Sequence, residues 1–125
     1  MTSVTVQRWI SDQHRELICK FFKPLMDANN GWLVYEIDDN MSDQCIPQFN
    51  RGRPAFEGER VQNNIKVMLN TADLVTVTTD YLKNFYHEHY GVPLENIVAV
   101  PNLLPKWWFG DKYNLKEKTE QRRKY

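Results

Sequence analysis

Two adjacent carboxylates, Asp38 and Asp39, follow the run Trp32-Leu-Val-Tyr-Glu-Ile37. Such a pair can accept hydrogen bonds from hydroxyls, hold a guanidinium, or offer oxygens to a divalent ion. Asp is equally at home as a turn or cap residue near a strand end, and a Mg site would also need substrate phosphates or further oxygens. A second group comes from Asn50-Arg-Gly-Arg-Pro54, where the forks of Arg51 and Arg53 can clamp a carboxylate or phosphate, or pair with Asp38 and Asp39. Arg8, Thr78, Thr79 and Asn102 complete the set, because each lies just past an apolar run.

Other chemistries lack their residues. His14, His87 and His89 have no metal-set spacing and no cysteine cluster beside them. There is no Gly-x-Gly-x-x-Gly, no Walker loop and no Gly-x-Ser-x-Gly elbow, and Cys45 has no evident His partner. A self-contained dinucleotide, P-loop or nucleophilic enzyme is therefore disfavoured, and neither a metal nor another cofactor is expected. A small metal-dependent hydrolase using Glu36, Asp38 and Asp39 is a third-ranked alternative.

The elements that must position these residues alternate. Val4 to Arg8 reads as a short first strand. Ser11 caps a helix to about Asn29, with Leu17, Ile18, Phe21, Phe22, Leu25 and Met26 at helical spacing; Pro24 predicts a kink or two shorter helices. Trp32 to Ile37 is almost continuously apolar, as in a central strand covered on both faces. A long polar loop, Asp39 to Gly58, follows. Next come a helix over roughly Glu59 to Thr71, a strand Leu74 to Val77, a helix capped by Asp80 and stopped by Gly91 and Pro93, and a strand Asn96 to Val100. This order predicts an α/β fold: a small Rossmann-like open parallel sheet of about four strands with helices on both faces. Ligands of such sheets bind beyond the carboxyl ends of the strands, where the polar residues above cluster.

With 125 residues, the chain has room for one domain, over 1–105, followed by an aromatic and then basic tail, 106–125. Sixteen Lys or Arg balance sixteen Asp or Glu, so no global field draws it to nucleic acid or a membrane surface. Two cysteines make no disulfide framework, and neither a signal-like N-terminus nor a spanning apolar run is present, so a cytoplasmic setting is expected. Trp107-Trp-Phe109 could stack a sugar or a base, or pack against the domain or a neighbour.

Gln7-Arg8, Gly31-Trp-Leu-Val-Tyr-Glu-Ile-Asp-Asp39, Ala72-Asp-Leu-Val-Thr-Val-Thr-Thr-Asp-Tyr-Leu82 and Asn96-Ile-Val-Ala-Val-Pro-Asn102, in this order, resemble the second part of the N-terminal domain of GT-B fold glycosyltransferases of the group 1 type. The resemblance implies an acceptor-side domain, truncated at both ends, with Asp38, Asp39, Thr78, Thr79 and Asn102 on the cleft side. It also implies that the nucleotide-sugar site belongs to a C-terminal domain, or a separate chain, that must complete it. The 125 residues alone are then expected to be inactive. A rival expectation is a non-enzymatic interaction protein that reuses this domain, binding a macromolecule or a second copy through its sheet edge or Trp107–Phe109.

Overall fold

The computed structural model describes residues 2–102; the tail from Lys106, including Trp107–Phe109, lies outside the described residues. Four parallel strands form one sheet: β1 (Ser3–Gln7), β2 (Trp32–Glu36), β3 (Leu74–Val77) and β4 (Ile97–Ala99), in the spatial order β1-β2-β3-β4. The helices are α1 (Asp12–Leu17), continued by a π turn (Ile18–Phe22) into α2 (Lys23–Ala28), then α3 (Glu59–Thr71) and α4 (Asp80–Tyr90). The expected small parallel α/β sheet is therefore present.

Among the described residues the helices pack against one face of the sheet. In a sheet whose spatial order follows the sequence, right-handed crossovers carry every connection to the same side. Accordingly the first helical stretch contacts α3, and α3 contacts α4, in a single layer. The in-register row Val6, Tyr35, Val75 and Ile97 is buried beneath it, packed with Ile18, Met26, Ile65, Met68, Leu69, Leu82 and Tyr86. The neighbouring rows, Thr5-Val34-Leu74 and Gln7-Glu36-Thr76-Val98, point to the other face, which no described helix covers. Among the described residues helices lie on one face of β2 only, and its ends Trp32 and Glu36 are exposed.

Local signals explain most of the boundaries. Ser11 caps α1 as expected, its hydroxyl accepting from the His14 amide while the His14 ring accepts from the Ser11 amide. Pro24 has no N–H to give the carbonyl four residues back, and the helix absorbs this with the π turn, in which Lys23 N–H reaches Ile18 O. Ile18, Phe22 and Met26, four residues apart, face the core, while Leu17, Phe21 and Leu25 are exposed. Thr79, not Asp80, caps α4, its hydroxyl accepting from Leu82 N–H. Gly91 closes α4 in the left-handed conformation, φ 72°. Asp73 pins the start of β3 to β2 through the Leu33 amide and binds Lys23; burial opposes its charge, but these contacts outweigh that and lower its pKa.

Among the described residues no helix is long and apolar enough to cross a membrane.

Candidate functional site

At the carboxyl edge of the sheet, Arg8 follows β1 with φ 50°, a left-handed conformation that a non-glycine residue adopts at a cost of about 1 kcal/mol or more. That turn aims its side chain across to the residues after β2. Nη2 lies 2.6 Å from Asp38 Oδ1 and 3.0 Å from Asp39 Oδ2, and Nε donates to Asp38 Oδ1 at 2.9 Å. The hydrogen bond to Asp38, with the charges of Asp38 and Asp39, raises the guanidinium pKa above its already high value. One cation thus bridges two partly exposed carboxylates. The cluster carries a net single negative charge and retains carboxylate oxygens beyond the two that Arg8 engages, the equipment needed to accept hydrogen bonds from hydroxyls.

A cavity lies on each side of this cluster. The first, about 370 Å³, is bounded by Arg8, Asp39, Asn40, Met41 and, across it, the loop residues Cys45, Ile46, Pro47, Asn50, Gly52 and Phe56. The second, about 280 Å³, lies on the sheet face away from the described helices and is lined by Thr5, Val34, Glu36, Asp38, Thr76, Thr78, Val100 and Asn102. Thr78 donates to Asp38 O at 3.3 Å, which ties the end of β3 to the end of β2.

The loop wall of the first cavity is held from below. Tyr86, fully buried on α4, donates to Asp39 O at 2.7 Å and accepts from Met41 N–H at 3.0 Å. Gln62 of α3 donates to Met41 O and Phe56 O, and its own carbonyl accepts from Tyr90. Ser42 lies 3.4 Å from His89 Nε2, and Asn50 folds onto the Gly52 amide. Burial pushes the Tyr86 and Tyr90 phenols well above their ordinary pKa, so both stay neutral and able to donate.

Of the eight residues singled out from the sequence, Arg8, Asp38, Asp39, Thr78 and Asn102 come together around the two cavities. The other three do not join them. Thr79 is occupied as a helix cap. Arg53 braces the loop, binding Glu57 and Ile46 O, and neither it nor Arg51 lines either of these two cavities or pairs with Asp38 or Asp39. The partner of the two carboxylates is Arg8 instead. Among the described residues no three His, Cys, Asp or Glu side chains gather to hold a metal ion; Glu36, the third member of the hydrolase alternative, accepts from Gln7.

Sequence reasoning missed Tyr86, Gln62 and Tyr90. Their helical spacing identified apolar faces, but a buried phenol or amide must also find hydrogen-bond partners, and the polar loop is where those partners are. No family model matches the chain, and no curated protein matches it significantly.

Proposed function

We propose that this chain is the acceptor-side half of a GT-B-like sugar transferase and works only when a partner domain or chain supplies the nucleotide-sugar. The observation that carries the reading is the Arg8–Asp38–Asp39 cluster at the carboxyl edge, flanked by two cavities with further hydroxyl and amide groups at Thr78 and Asn102. Sugar hydroxyls are recognised by carboxylates and amides in this manner. The sheet order supports it too: consecutive parallel strands with every described helix on one side resemble one half of a doubly wound sheet, whose strand order reverses only at a switch point outside such a half. In this reading the chain orients an acceptor hydroxyl, and the rate gain comes from holding donor and acceptor in register.

The test is calorimetric titration with neutral oligosaccharides and with nucleotide-sugars, followed by a transfer assay on the isolated chain. Millimolar or tighter oligosaccharide binding, lost in Asp39→Asn, with no nucleotide-sugar binding is the expected result. Turnover of a nucleotide-sugar by the chain alone would overturn the reading.

A second reading, a non-enzymatic interaction protein, is favoured by one observation: parallel sheets are ordinarily covered on both faces, and among the described residues helices cover only one face of this one and no strand pairs beyond β1 or β4. Loss of Asp38 and Asp39 would then leave partner binding unchanged.

A further inference from the structure

A third cavity, about 480 Å³, lies between the first helical stretch and α3, lined by Arg15, Glu16 and Lys20 on one side and by Arg60, Asn63 and Asn64 on the other. Asn64, only 2% exposed, is a buried polar residue with both ends of its amide engaged. Its carbonyl accepts from Arg15 Nη1 at 3.2 Å, and its amide donates to Asp12 Oδ1 at 2.7 Å; the same Asp12 oxygen accepts from Arg60 Nε at 3.2 Å. One buried amide thus orients the guanidinium of one helix and, through Asp12, that of the next. Burying an amide carries a desolvation cost that an apolar residue packing α1 against α3 would avoid, so what Asn64 adds to this contact is the placement of two arginines. We propose that this cavity binds a phosphate dianion, free or as the head of a small monoester, with Arg15 and Arg60 as its two forks.

Charge favours an anion here. Three cations, Arg15, Lys20 and Arg60, meet two carboxylates, and both carboxylates are engaged: Glu16 by Lys20 at 2.8 Å, and Asp12 by Arg60 and Asn64. Among the described residues Arg15 makes no ion pair, and its hydrogen bond goes to a neutral carbonyl, so the unmatched positive charge sits on a guanidinium with most of its donors still to give. Shape selects phosphate among anions. A carboxylate offers two oxygens in one plane, enough for a single fork. A phosphate offers three or more around a tetrahedral centre, enough for forks that reach it from two helices. The cavity falls within the usual range for small-molecule sites, about 300–1,000 Å³, which leaves room for the body of a monoester. It shares no lining residue with the two cavities at the carboxyl edge, and its occupancy is independent of whether the chain takes part in sugar transfer.

Calorimetric titration of the full chain with inorganic phosphate and with phenyl phosphate, at about pH 7.5 and low salt where both are largely dianionic, tests it. The expected result is saturable binding, at about millimolar or tighter, weakened at least about tenfold in Arg15→Gln. Asp12→Asn should instead bind about threefold tighter, since it keeps the oxygen that Asn64 engages but removes a repelling charge. Loss in one variant and gain in the other is a pattern that a packing role alone does not produce. Equal affinity for the two probes assigns the site to free phosphate, and tighter phenyl phosphate assigns it to a monoester. Should Arg15→Gln unfold, Arg15→Lys carries the same comparison, because it keeps the charge and loses the fork. Absence of saturable binding, affinity untouched by the Arg15 substitutions, or equally tight binding of succinate overturns the proposal. Binding lost in Arg8→Gly but retained in Arg15→Gln also overturns it, and assigns the phosphate to the carboxyl edge.

Discussion

Tyr86→Phe removes a single oxygen and leaves the ring in place, so no cavity opens and the whole effect comes from two lost hydrogen bonds. The Met41 amide, on a residue only 1% exposed, loses its acceptor, and Asp39 O loses its donor. An orphaned buried N–H costs about 1–3 kcal/mol, and a carbonyl near the surface recovers part of its loss from water. A destabilisation of about 2 kcal/mol follows. With a urea dependence of about 2 kcal/mol per molar for a domain of this size, the unfolding midpoint should fall by about 1 M. Tyr35→Phe is the internal comparison: its hydroxyl serves only Trp9 O, so the shift should be about half as large. Native-state proteolysis supplies the local readout, since Tyr86→Phe should open the 39–58 loop to cleavage while Tyr35→Phe leaves it closed. A Tyr86→Phe midpoint within about 0.3 M of the parent, or equal effects of the two substitutions, would refute the claim that Tyr86 fixes the cavity wall.

Burial raises the pKa of Tyr35, Tyr86 and Tyr90. Their contribution to stability is complete below about pH 10 and is withdrawn above it, where the unfolded chain releases protons that the folded one keeps; the three together should lower stability by about 4 kcal/mol per pH unit, read by urea titrations at stepped alkaline pH. Gly91→Ala meets no atom within 4 Å, so its cost is the left-handed backbone alone, about 1 kcal/mol, or roughly 4 °C in thermal melting, with Gly91→Asn losing less. Arg8→Gly relaxes a positive φ while deleting an exposed ion pair worth at most about 1 kcal/mol, so denaturation should move by less than about 1 kcal/mol; calorimetry should nevertheless show at least about tenfold weaker oligosaccharide binding.

Much of this molecule could be read from its residues because the strands are short β-branched runs ending in polar pairs, and the helices carry strong stop and cap signals such as Ser11 and Gly91. The carboxyl edge followed from that alternation, and with it the neighbourhood of Arg8, Asp38, Asp39, Thr78 and Asn102. Strand order was not legible, since it is decided by which strands pair across dozens of residues. Pairing of Asp38 with Arg8, and not with Arg51 or Arg53, depends on one left-handed residue; Arg8 is not glycine, Asn or Asp, so nothing local announces that turn.

The sequential strand order also gives the chain a history. Each strand docks beside the one made just before it, so a growing sheet needs no later segment to thread between strands already paired. The first cavity is different. Its wall at Asp39 and Met41 is fastened by Tyr86, and its brace Gln62 by Tyr90, both nearly fifty and thirty residues further along. At synthesis rates of about 5–20 residues per second, the loop would spend several seconds outside the ribosome before its anchors emerge. The first cavity thus takes shape well after the strands that border it, and until α4 arrives a nascent chain could hold a paired β1 and β2 yet bind nothing there.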